Sequence, residues 1–148
     1  MSQGLLVFEL DEREFAVDLA LVREIDRLVP VTPLPRVAAY VEGVVNLRGA
    51  LVPVVNLRAR LEMSRETPTK ASRIIVLEMG SRRVGMIVDA VTEVLRVEPE
   101  LIDAVEGTYT RGVAKVDDRR VGLLDLDKVL SHGGASEGLE ADVPKDSV

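Results

Sequence analysis

Apolar and polar residues alternate through Leu6, Phe8 and Leu10, the alternation breaks at the polar run Asp11-Glu12-Arg13-Glu14, and a second apolar run follows at Phe15-Ala16-Val17. A period of two interrupted by a short polar stretch predicts a β-hairpin with one face buried. The spacing then changes. Residues 19–24 predict a short helical turn, and beyond it Pro30, Pro33 and Pro35 exclude both a continued helix and a central strand. A further helical turn is expected over 37–41. Gly43 restarts the chain as a strand over 44–47, Arg48-Gly49 makes a turn, and residues 51–55 return as the next strand. Asn56 has the position and chemistry of an N-cap for a short helix ending near Leu61.

The pattern is written twice. Without any gap, an offset of 69 lays residues 5–61 on residues 74–130, and 13 of the 57 paired positions are identical. Among them are Pro30/Pro99, Tyr40/Tyr109 and Gly43/Gly112, which weigh most because those residue types are uncommon here. The second copy puts Asp125 at the cap position of Asn56 and a helix over 126–130. Two copies are too few for a solenoid, so the expectation is a mainly β fold of two five-stranded barrel lobes, 5–61 and 74–130, packed around a shared core and a pseudo-twofold axis. Residues 62–73, polar and carrying Pro68, are the expected linker within one domain spanning 1–131. From His132 to the end the chain becomes rich in Gly, Ser and acids without periodicity, which predicts a disordered tail.

Composition narrows the function. Only Phe8, Phe15, Tyr40 and Tyr109 are aromatic, so the interior must be filled by Val, Leu and Ile, which suits strands. No cysteine is present, removing disulfides, thiolate metal sites and a cysteine nucleophile, and fitting a reducing cytosol. No basic leader opens the chain and no apolar run nears the ~20 residues of a membrane span, so a soluble cytoplasmic protein is expected. A net charge of −6 argues against general affinity for nucleic acid or anionic lipid.

Candidate chemistry is sparse. The only histidine, His132, borders the tail, which makes it a poor catalytic base. No phosphate-cradling glycine loop occurs. Asp117-Asp118 and Asp125 with Asp127 have the oxygen chemistry of a hard-cation site, but the first pair occupies a turn and Asp125 caps a helix, so neither a metal nor another cofactor is expected. An enzyme is not expected, which leaves binding. Positions shared by the copies maintain the fold, whereas divergent ones are free to specialise. The sharpest divergence sets Asn46-Leu47-Arg48-Gly49 against Lys115-Val116-Asp117-Asp118. Arg48-Gly49 is either a generic polar turn or a five-donor group presented where a partner backbone approaches closely.

The stretch Tyr40-Val41-Glu42-Gly43-Val44-Val45-Asn46-Leu47-Arg48-Gly49-Ala50-Leu51-Val52-Pro53-Val54-Val55-Asn56-Leu57-Arg58 resembles the signature of the CheW chemotaxis coupling family. Weaker matches at Leu6-Val7-Phe8-Glu9-Leu10 with Phe15-Ala16-Val17, at Val22-Arg23-Glu24-Ile25, at Val84-Gly85-Met86-Ile87-Val88-Asp89 and at Val121-Gly122-Leu123-Leu124-Asp125-Leu126 carry it over nearly all of residues 5–130. The resemblance implies two SH3-like lobes. It also implies an adaptor joining the helical tips of chemoreceptors to the regulatory domain of a CheA-type histidine kinase, within signalling arrays on the cytoplasmic side of the membrane. By position, the implied receptor-facing residues are Val22, Glu24, Val31, Gly43 and Arg48, and Leu28 and Val29 are the implied kinase-docking residues. A helix lying in the groove between lobes is the expected mode of receptor recognition, with Val22 and Val31 as apolar contacts or as ordinary core. Two other readings remain: an adaptor of a non-flagellar pathway, and a small-ligand or metal-responsive β-barrel sensor.

Overall fold

The computed structural model describes residues 2–130; the expectations for His132 and for residues 132–148 lie outside the described residues. The first copy of the repeat forms β1 (Gln3–Leu10), β2 (Arg13–Asp18), β3 (Val22–Arg27), β4 (Val41–Leu47), β5 (Ala50–Asn56) and α1 (Leu57–Arg60). The second forms β6 (Arg73–Met79), β7 (Arg82–Val88), β8 (Ala90–Val97), β9 (Ile102–Ala104), β10 (Thr110–Val116), β11 (Arg119–Leu124) and α2 (Leu126–Leu130).

The fold is mainly β, as expected, but the copies exchange strands. One sheet runs β8-β1-β2-β11-β10-β9 and the other β3-β6-β7-β5-β4. Residues 22–88 therefore supply the whole five-stranded sheet, while the six-stranded one is built from both ends of the described chain. The expected lobes 5–61 and 74–130 do not coincide with the sheets. The duplication survives in the pairing itself: antiparallel β1/β8 mirrors β6/β3, and parallel β2/β11 mirrors β7/β5. Register shifts recur at equivalent places, between Val41 and Gly43 and between Thr110 and Gly112.

Each sheet closes on its own core, and a third core lies between them. Leu5, Val7, Val97, Ala114, Val121 and Leu123 fill the six-stranded barrel, and their repeat mates Ile74, Val76, Leu28, Val45, Val52 and Val54 line the five-stranded one. Alternate residues of the same strands, among them Leu6, Phe8, Ile75 and Leu77, face the shared core with α2. Side chains on successive strand positions point to opposite faces, so an uninterrupted apolar run serves two cores at once.

Two local expectations are corrected. The helical turn over 19–24 is a single 3-10 turn, Leu19–Leu21, where the Asp18 carboxylate accepts the Ala20 N–H at 3.0 Å. The chain is extended from Val22 because Val22, Glu24 and Asp26 alternate against β6. Residues 37–41 form no helix. Arg36 has φ 61°, and the Val41 N–H donates to Ala38 O at 2.9 Å, making a turn that starts β4 earlier than expected. The caps hold as read, with the Asn56 side chain accepting the Ala59 N–H at 3.0 Å and Asp125 that of Lys128 at 3.2 Å.

Candidate functional site

β3 and β4 are the outer strands of the five-stranded sheet, and side chains tie them together. Arg48 and Gly49, with φ 52° and 85°, form the turn between β4 and β5, locked by the Gly49 N–H donating to Asn46 Oδ1 at 2.9 Å. From this turn the Arg48 guanidinium reaches β3, ion-pairing with Glu24 and lying 3.6 Å from Asp26 Oδ1. Arg48 keeps 67% of its side chain exposed while both carboxylates are mostly covered. The second Asp26 oxygen is buried without a hydrogen bond. Its repeat mate, Leu95, packs on the six-stranded core, so a carboxylate here departs from the pattern that builds the barrel.

The other barrel carries the same pair by another route. Glu93, the mate of Glu24, is bound by Arg119, which also holds Glu14 with bonds of 2.9 and 2.7 Å. Those hydrogen bonds from Arg119 hold the Glu14 carboxyl below its ordinary value, against a smaller upward push from burial. An arginine from the last hairpin of each copy thus clamps an equivalent glutamate. The contrast between Arg48 and Asp117 moves the cation along the hairpin; it does not delete the clamp.

The structure places the remaining sequence candidates in two groups. Leu28, Val29 and Val31 are half-buried together at the rim of the five-stranded core, whereas Val22 packs on the shared core. Gly43 is buried. Its φ is 144°, and an added Cβ would sit 2.0 Å from Thr32 O. The missing side chain lets Thr32 and Val44 exchange N–H···O bonds of 2.8 and 2.9 Å. Gly43 therefore acts by seating the 31–33 segment against β4. That contact remains a lone bridge because Pro33 and Pro35 stand where the second copy has Ile102 and Ala104, the ends of β9.

Sequence reasoning missed Arg60. It is only 5% exposed, donating to Val129 O at 2.7 Å, Lys128 O at 3.1 Å and Tyr109 Oη at 2.9 Å. The rings of Tyr40 and Tyr109, identical repeat mates, lie 4.7 and 4.6 Å from its guanidinium carbon. Burial pushes the Tyr40 phenol up, offsetting the opposite pull of Arg60. The signal was available: the mate of Arg60 is the apolar Val129.

A cleft of about 540 Å³ opens between the 65–69 segment and the ends of β5 and β7. Four of its charged groups are already engaged, with Arg58 holding Asp89 at 2.8 and 2.6 Å and Arg65 pairing with Glu42. Among the described residues no group of three or more His, Cys, Asp or Glu side chains converges as a metal site. None of their helices is long and apolar enough to cross a membrane.

Two small barrels interlocked by strand exchange, with their distinctive charges on sheet edges, define a paired-barrel β module whose chemistry lies on its surface. The model of the CheW-like domain matches residues 4–133, and this chain belongs to that family. The chemotaxis protein CheW of Rhizobium meliloti (strain 1021) is 41% identical over 136 residues, covering 87% of this chain and 88% of that protein. The chemotaxis protein CheW of Thermotoga maritima is 35% identical over 139 residues, covering 90% and 91%. The crystal structure of the scaffolding protein TtCheW from Thermoanaerobacter tengcongensis matches with a TM-score of 0.84 at 31% identity, over 90% of this chain and 96% of that one.

Proposed function

We propose that this protein is a non-catalytic chemotaxis adaptor that couples the helical tips of chemoreceptors to a CheA-type histidine kinase. It works in the cytoplasm at receptor arrays, without inserting into the membrane, binding nucleic acid or using a cofactor. The observation that carries the reading is the clamp of Arg48 on Glu24 at an open sheet edge, within a chain of the CheW-like family. Arg48 is held in place yet mostly exposed, so its remaining donors meet a partner without first being ordered. Glu24 and Arg48 set the register of a receptor helix, Val22 and Val31 supply apolar contact, and Gly43 contributes by seating Val31. Leu28 and Val29, at the rim of the five-stranded core, take the kinase.

The test is co-capture of a receptor signalling fragment and the kinase from the same cells. Arg48→Asp is expected to weaken receptor capture at least tenfold while kinase capture stays close to wild type at matched levels of folded protein. Unchanged receptor capture at matched protein levels removes the assignment.

A further inference from the structure

Arg27 and Arg73 are direct register partners on β3 and β6. Like charges placed opposite one another weaken an antiparallel pair. Nothing nearby relieves them: among the described residues neither arginine forms an ion pair, and neither does Lys70, which lines the same cleft. That cleft, about 430 Å³, is bounded by Arg27, Leu28, Thr69, Lys70, Ser72 and Arg73. The Arg73 guanidinium is steadied by donating to Lys70 O and Ser72 O, both at 2.8 Å, which satisfies one nitrogen and leaves its charge uncompensated.

The duplication supplies an internal control. The mates of Arg27 and Arg73 are Arg96 and Gly4, which also face each other in register, so the equivalent place in the six-stranded sheet carries one cation over a glycine. The fold therefore does not need two. In a chain with net charge −6, acids are in surplus, yet among the described residues none lines this cleft. A local arrangement that costs stability without return inside the fold points to use outside it.

We infer that the Arg27–Lys70–Arg73 cleft docks an acidic, folded protein surface. On the adaptor reading above, this surface belongs to the kinase: Leu28 lies in the cleft wall, so the three cations extend the apolar patch of Leu28 and Val29. The partner presents carboxylates beside an apolar side chain. A folded partner surface brings its carboxylates without a cost of ordering them; the chain's own Glu137, Glu140 and Asp142 have matching charge and form a separate arm of the experiment.

The experiment titrates the full chain with the regulatory domain of the CheA-type kinase at several salt concentrations. Arg27→Glu with Lys70→Glu is expected to weaken binding at least tenfold and to flatten its salt dependence. Leu28→Ser weakens binding with the salt dependence intact, and Arg27→Gln relieves the like-charge pair, raising the melting temperature while weakening the kinase. If Leu28→Ser costs affinity and the charge reversal does not, this inference is overturned and the adaptor reading stands. If the wild-type chain shows no kinase binding, both fall. If replacing Glu137, Glu140 and Asp142 by Lys changes the affinity as much as reversing the cleft does, the cleft serves its own chain and the inference is overturned.

Discussion

Arg60 donates a 2.7 Å hydrogen bond to the carbonyl of Val129, the residue that occupies its own place in the second copy of the repeat. A buried cation at the meeting point of the two copies ties the end of α1 to α2 and is flanked by two equivalent tyrosines. Arg60→Leu would leave Val129 O, Lys128 O and Tyr109 Oη without this donor, so a loss of about 3 kcal/mol is expected. Urea unfolding checks it, with both barrels unfolding in one shifted transition.

Gly43 and Gly49 both have positive φ, but only one is crowded. An added Cβ at Gly43 meets the Thr32 carbonyl at 2.0 Å, while at Gly49 nothing lies within 4 Å. Gly43→Ala is expected to cost about 3 kcal/mol, as strain in a closed backbone contact, and Gly49→Ala about 1 kcal/mol. Thermal melts of the two variants decide the order; equal losses would mean that the approach to Thr32 carries no stability.

Asp26→Leu installs the residue that the other barrel uses at Leu95 and removes a buried carboxylate oxygen with no partner. The fold should gain roughly 1 kcal/mol, read as a higher urea midpoint. A drop would show that the 3.6 Å approach of Arg48 outweighs the unmet oxygen.

Two carboxylates set the acid limb of stability. At Asp89 burial pushes the pKa up, but bonds from Arg58 and from the Asp11 N–H more than offset it, leaving the group below its ordinary 3.8. Glu14 is held below 4.5 by Arg119. Folded values below unfolded ones mean stabilisation that is present at neutral pH and lost as pH falls past the ordinary carboxylate range and through the lowered folded value. Asp89→Asn and Glu14→Gln should each be less stable than wild type at pH 7 and converge with it once the pH has fallen through the lowered folded values; urea midpoints measured against pH test this.

Hairpins, caps and the duplication were legible in the sequence because each is local or rests on self-comparison. The exchange of strands between copies was not. Period-two patterning tells which face of β1 is buried, and both of its faces are, but it does not say that β8 and not β3 is the neighbour. The Arg48 turn was legible as a divergence, and Glu24 through a weaker match to the family. The bond between them was not, since β3 and β4 are joined only by the fold. The equivalent clamp by Arg119 was hidden because its cation sits two positions further along the hairpin than the mate of Arg48. Arg60 and Asp26 were within reach: each is a polar residue whose mate is apolar, a mismatch that compares chemistry where a count of identities does not.

Strand exchange also settles what the duplicated chain can be divided into. A cut within residues 62–73 would separate the copies but leave β1 and β2 without β8 and β11, and β6 and β7 without β3 and β5. Neither fragment holds a complete barrel, so the pieces should be inert apart and recover structure only when mixed. The chain crosses between barrels at two short joints, residues 18–22 and 88–90, and neither leaves slack for a hinge. Surfaces on the two barrels are thereby held at one distance and one angle, a spacer as well as a connector.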